Sequence, residues 1–110
     1  MHNYKSLNIW KNARSFIKDI YETTKSFPDS EKFGITSQIR RSSISISSNI
    51  AERSGRNTEK EFLNFLKIAR GSSFETESLL ILANDLDYIQ DMDFNTLEAR
   101  IIEIQKMLFG

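Results

Sequence analysis

Apolar residues recur at gaps of three and four through four separate stretches of this chain, and that spacing restricts it to packed amphipathic helices. The first stretch runs from about Leu7 to Ser26 through Ile9, Trp10, Ala13, Phe16, Ile17, Ile20 and Tyr21. Ser6 is the expected N-cap, and Pro28 follows the end, where a proline no longer disturbs helical hydrogen bonds. Phe27 to Ile35 has room for one helical turn, stopped by Gly34. The second stretch, about 36–53, carries Ile39, Ile46 and Ile50 on one face, with Thr36 as expected N-cap and Gly55 at the C-terminal end. The third, about 58–86, has the clearest start. Thr58 and Glu61 match a capping box, in which each side chain satisfies a free backbone N–H. It continues through Phe62, Phe65, Leu66, Ala69, Leu79, Leu80, Ala83 and Leu86. At ~1.5 Å per residue it would be roughly 40 Å long. The fourth opens near Asp93, at about 94–109, and carries Leu97, Ile101, Ile104 and Leu108 on one face. Short connections make neighbouring helices antiparallel, so the expected architecture is all-α: one up-down-up-down four-helix bundle over residues 1–110.

Composition narrows the function more than it identifies one. A chain of 110 residues can bury a core without staples, and the lack of cysteine excludes disulfides and cysteine-held zinc. That fits a reducing cytoplasm. Fifteen basic residues balance fifteen acidic ones, which argues against a generalised polyanion binder but leaves room for a local basic patch. The longest apolar run, Leu79 to Ala83, is far short of the ~20 residues that span a bilayer, so no membrane is expected as a partner. Catalysis has little to work with: His2 is the only histidine and sits at the terminus, no Glu-x-x-His pair is present, and Glu75 and Glu77 point to different sides of one helix. The expectation is a non-enzyme with no catalytic residues, metal site or cofactor.

Three features stand out. Gln38, Ser42, Ser45 and Asn49 form a polar stripe beside the isoleucine face of the second helix, although serine and asparagine are weak helix formers. Folding a hairpin at Ser54–Asn57 would set Ser42 near Ala69 and Gln38 near Ser72 and Ser73, with Glu75 within reach of the Gln38 amide. The stripe then reads as a partly buried seam of Gln38, Ser42, Ser45, Asn49, Ser72 and Glu75, and Gly71 as a residue that lets two backbones approach. Second, Arg40, Arg41, Arg53 and Arg56 cluster in and just after the second helix, a candidate contact for RNA or another phosphate-bearing partner. No aromatic residue is interleaved with them, which argues against stacking on single strands. Third, Leu63, Ile68, Ile81, Leu82, Ile102 and Met107 fall outside the stripes that one bundle core can cover, and so form a candidate self-association surface.

The segment QIRRSSISISSNIAE, Gln38 to Glu52, resembles the four-helix-bundle family named for the 23S rRNA intervening-sequence protein. That family's hallmark is similar to Gln-x-Arg-Arg-Ala-x-x-Ser-Ile-x-x-Asn-Ile-Ala-Glu-Gly, and Gln38, Arg40, Arg41, Ser45, Ile46, Asn49, Ile50, Ala51 and Glu52 match it. A second block, FLNFLKIARGSSFE, carries the resemblance through Leu66, Ala69, Gly71, Ser72 and Glu75. The opening LNIWKNA and the turn at Phe27, Pro28 and Glu31 also fit. Ser42 stands where the family has alanine and Arg53 where it has glycine. The resemblance implies a left-handed bundle that assembles into rings, commonly pentamers. It also implies kinship with accessory proteins of diversity-generating retroelements, which work with a reverse transcriptase and its RNA. The leading expectation is therefore a homo-oligomeric scaffold or adaptor associated with RNA or a nucleic-acid-associated protein. Direct RNA binding through the arginines is the alternative.

Overall fold

In the computed structural model, residues 3–55 and 58–109 are described. Four helices make up the fold: α1 (Asn8–Thr24), α2 (Ile35–Ser54), α3 (Glu59–Asp85) and α4 (Asp91–Phe109). Short 3-10 turns at Tyr4–Ser6 and Asp29–Glu31 precede α1 and α2, and no strand occurs among the described residues. Each helix packs against two neighbours, in the cyclic order α1, α2, α3, α4, and the diagonal pairs stay apart. The side-chain ties run antiparallel. Ser42 meets Thr76 while Ser45 meets Ser72, and Glu77 meets Gln105 while Arg70 meets the carbonyl of Leu108. The molecule measures 44 × 25 × 19 Å, its long dimension set by the 27 residues of α3.

The core is the set of faces that the periodicity marks. Phe16 and Ile20 of α1, Ile39, Ile46 and Ile50 of α2, Leu80 of α3, and Ile101 and Ile104 of α4 are fully buried together. Trp10 lies on the rim, packed against the core, with the Tyr4 ring edge-on at 5.2 Å.

Helix ends depart from expectation in instructive ways. Leu7, not Ser6, is the N-cap of α1, and the Ser6 hydroxyl donates to the carbonyl of Asn3 inside the preceding turn. α2 begins two residues earlier than expected, with Gly34 at the cap and Thr36 buried within its first turn. The work of a cap there falls to Glu31. Its backbone carbonyl accepts from Gly34 N, its Oε1 lies 3.5 Å from Ile35 N, and its Oε2 accepts from the Tyr88 hydroxyl at 2.8 Å. A carboxylate at a helix N-terminus is favoured by the free N–H groups and the dipole. A methyl group on Gly34 would approach Glu31 Oε1 to 2.5 Å, so glycine leaves room for that carboxylate. At α3, Thr58 Oγ1 accepts from Glu61 N at 3.1 Å. α3 ends with Asp87 in the left-handed region, φ 62°, while Tyr88 N bonds Ala83 O and Asp87 N bonds Asn84 O. This is a Schellman closure made without glycine. α4 starts earlier than expected, at Asp91, because Asn84 donates to Asp91 Oδ1 at 3.0 Å and to Ile89 O at 3.1 Å, tying the two helices across a short turn.

Candidate functional site

The hydroxyl seam between α2 and α3 lies in the most extensive of the four helix contacts. Ser42 and Thr76 hydroxyls are 2.8 Å apart in the interior, and the Ser72 hydroxyl donates to Ser45 Oγ at 2.8 Å. Each hydroxyl also has a carbonyl of its own helix within reach, Ile39 O at 3.2 Å from Ser42 Oγ and Ser72 O at 2.8 Å from Thr76 Oγ1, so either can be the donor in the cross-helix bond. Asn49 Nδ2 donates to Ser45 O and Oγ, extending the chain of bonds along α2. Ser43 and Ser73 are fully buried and bond back to the carbonyls of Arg40 and Arg70 on their own helices.

The partners differ from those the hairpin reading proposed. Ser42 faces Thr76 rather than Ala69, a shift of two turns. Counting outward from the observed pairs, Gln38 comes level with Leu79 and Leu80 rather than Ser72 and Ser73. Opposite two leucines its amide makes no hydrogen bond among the described residues, and Gln38 is exposed. Glu75 is exposed as well, because three residues past Ser72 rotates a side chain about 60° out of the contact at ~100° per residue. Gly71 is exposed and a methyl group built on it would meet nothing within 4 Å, so it is not the close-approach residue of the α2–α3 contact. Ser42 and Ser72, small, buried and bonded across the contact, take that place.

The arginines do not form one patch. Arg53 lies 13 residues from Arg40, roughly 20 Å along the helix at ~1.5 Å per residue. It stacks over the Phe62 ring at 4.6 Å, and its Nε is buried with no hydrogen-bond partner among the described residues. Burial, with the charge of Arg70 adding to it, lowers its pKa from the ordinary guanidinium value. Arg70 itself donates twice to the Leu108 carbonyl, at 3.1 and 2.9 Å, and covers the Phe109 ring at 4.4 Å, closing the C-terminal end of α4. Arg56 lies outside the described residues.

Arg40 and Arg41 instead belong to a groove of about 410 Å³ at the opposite end of α2, between α1, the Asp29–Glu31 turn and α2. Its walls bring Tyr21, Lys32 and Phe33 beside the two arginines. Arg40 Nε donates to Thr24 Oγ1 at 2.8 Å, and its guanidinium lies 4.5 Å from the centre of the Tyr21 ring. Arg41 reaches Ser37 Oγ at 3.4 Å, and neither arginine makes an ion pair among the described residues. Phe33 is 89% exposed, with Lys32 Nζ 5.6 Å from its ring centre. The chain's order hides this juxtaposition of aromatics with cations. Tyr21 is 19 residues before Arg40, and the bend at Gly34 brings Phe33 alongside.

A second surface is apolar. Leu63, Ile68, Ile81 and Leu82 are exposed, each by two-fifths to one half, while Ile102 and Met107 are half-buried. Sequence patterning missed Phe74 and Phe109, which are exposed and pack ring to ring at 6.0 Å across α3 and α4. At ~100° per residue, Leu63, Phe74 and Ile81 form one line down α3 on its α4 side, and Ile68 and Leu82 a second on its α2 side.

No group of three or more His, Cys, Asp or Glu is placed to hold a metal among the described residues, and His2 lies outside them. No described helix is long and apolar enough to cross a membrane.

The family described as 23S rRNA-intervening sequence protein matches residues 5–110. Among solved structures, the chain is similar to a protein of unknown function from the S23 ribosomal protein family of Bacteroides thetaiotaomicron. The two share 27% sequence identity with a TM-score of 0.84, over 92% of this chain and 91% of that one. No match is found among curated proteins.

Proposed function

We propose that this chain, which belongs to the 23S rRNA-intervening sequence protein family, is a non-enzymatic scaffold or adaptor that assembles with copies of itself and works in association with RNA or an RNA-bound protein. The observation that carries the reading is the outer face of α3. A helix in a monomeric bundle needs one apolar stripe, and α3 has its buried stripe and two further apolar lines in solvent. The lines differ from each other: Leu63, Phe74 and Ile81, joined by Phe109, on one flank, and Ile68 and Leu82 on the other. Two unlike patches on one subunit suit a head-to-tail contact, which closes into a ring when the rotation allows. Five subunits is the number the family resemblance suggests. The association with RNA draws its support from the family's name and from the cation-lined groove.

Light scattering coupled to size exclusion tests the assembly. The expected result is a defined multiple of 12.8 kDa for the wild type and a shift toward that single mass for Phe74→Ser combined with Ile81→Lys, both exposed positions. A wild type that remains monomeric at micromolar concentration overturns the reading. A dimer keeps self-association and discards the ring.

A further inference from the structure

We infer that the groove between α1, the Asp29–Glu31 turn and α2 is a binding site for one nucleotide of a single-stranded nucleic acid, its base stacked on Phe33 and its phosphates held by Lys32, Arg40 and Arg41. This deepens the reading of an RNA-associated scaffold by naming the surface that meets the nucleic acid, and its test is read separately from assembly.

Charge is the first support. Among the described residues three cations line the groove and no carboxylate does, in a chain whose formal net charge is zero. The groove is therefore a local positive site rather than part of a generally basic surface, and it suits an anion. Geometry is the second. Arg40 is pinned between the Tyr21 ring and Thr24 Oγ1, and Nε and Nη2 make its only hydrogen bonds among the described residues, to Thr24 and to the Tyr21 carbonyl. Its guanidinium is thus already ordered, with donors to spare, and loses little freedom when it meets a phosphate. Among the described residues Arg41 makes a single long hydrogen bond, at 3.4 Å, and keeps donors to spare.

Phe33 is the third support and decides the kind of anion. An aromatic ring 89% exposed is unexplained by packing, and the adjacent lysine lies over one face of it, 5.6 Å from its centre, which leaves the other face for a base. Aromatic platforms flanked by cations are how proteins hold single strands without reading sequence, since every base has a π face. Thr36 adds a polar group on the floor. It is more than nine-tenths buried, lines the groove, and its Oγ1 has no hydrogen-bond partner among the described residues. The site lies on the α1–α2 side, away from the α3 face assigned to self-association, so a subunit can use both.

The test is fluorescence anisotropy with a labelled short oligouridylate, repeated over a salt series. The two phosphates that flank one nucleotide predict that log K falls with log salt at a slope of about −1.4, and Arg41→Gln should flatten that slope by about 0.7. Phe33→Ala should weaken binding about 5- to 150-fold, the range for loss of one base stack, and leave the slope unchanged. Because Phe33 is exposed, the variant keeps the fold, which a thermal melt by circular dichroism checks. Lys106→Gln, on the distant α4, should leave affinity and slope as in the wild type. Four outcomes overturn the proposal: no binding of the oligonucleotide at low salt, binding indifferent to both Phe33→Ala and Arg41→Gln, uridine monophosphate binding as tightly as the oligonucleotide, or binding to anionic lipid vesicles in place of it. Each is read on whatever assembly light scattering finds, so loss of the ring and loss of the site are distinct results.

Discussion

The Ser42–Thr76 bond can be measured in isolation by a double-mutant cycle. The two hydroxyls are 2.8 Å apart, and Ser42 and Thr76 are only 4% and 0% exposed. Thr76→Val removes the hydroxyl at nearly constant volume. Ser42 is not stranded by that change, since it can turn to the Ile39 carbonyl at 3.2 Å. The larger penalty of a buried unsatisfied group is thereby avoided, and what is lost is the net value of the cross-helix bond, about 1 kcal/mol, together with the local bond from Thr76 to the Ser72 carbonyl. For a chain of this size about 1 kcal/mol is a fall of roughly 4 °C in Tm. Ser42→Ala loses the same bond from the other side, and Thr76 keeps its bond to the Ser72 carbonyl at 2.8 Å. Ser42→Ala therefore costs about 1 kcal/mol and Thr76→Val more than that, and the double variant should cost about as much as Thr76→Val alone rather than the sum, a coupling of about 1 kcal/mol. Urea unfolding at one fixed protein concentration is the assay, because self-association would make stability concentration-dependent. Midpoints should move while the slope m stays constant. Gln38→Ala, at an exposed site on the same stripe, should stay within about 0.5 kcal/mol of wild type. Additivity of the two single changes within about 0.3 kcal/mol would refute the claim that these hydroxyls hold α2 to α3.

Gly71→Ala should stabilise the subunit by about 0.5–1 kcal/mol, because the new methyl meets nothing within 4 Å and the helix loses its least favourable interior residue. A lower melting temperature, or loss of assembly by light scattering, would show that a neighbouring subunit packs on Gly71. Asp87→Gly should add about 0.5–1 kcal/mol by relieving the φ of 62° and removing a negative charge beside the C-terminus of α3, and a fall in the urea midpoint would contradict that account. Tyr88 donates to the Glu31 carboxylate, and this bond, with burial and the carboxylate charge adding to it, raises the phenol pKa from its ordinary 10.0. The neutral phenol is therefore favoured in the folded state. Its contribution is complete below about pH 10 and is lost as pH rises through the folded-state value. Tyr88→Phe should be less stable than wild type at neutral pH, with the difference closing above about pH 10, and melting curves that fall in parallel across that range would count against the tie.

What the amino-acid order determines here is what reaches no further than one helical turn. Spacing of three and four marks Phe16 and Ile20, Ile39, Ile46 and Ile50, and Ile101 and Ile104 as inward-facing, and they are the core. Thr58 opens α3 as a cap because Glu61 N is three residues away. The Schellman end at Asp87 was less legible, since the position lacks the glycine that usually announces it. Tertiary structure alone decided the rest. The register of α2 on α3 is set by how small side chains nest across the contact, not by the turn between them. So Ser42 lies against Thr76 two turns from the site that folding at Ser54–Asn57 suggests, while Gln38 and Glu75 fall in solvent. The same long-range geometry separates Arg53 from Arg40 by the length of α2 and sets Tyr21 and Phe33 beside Arg40 and Arg41. A helix fixes which residues share its own face, because backbone hydrogen bonds bind each residue to the one four positions before. Nothing in that local rule specifies the height at which a second helix comes to rest, and both the seam and the groove depend on that height.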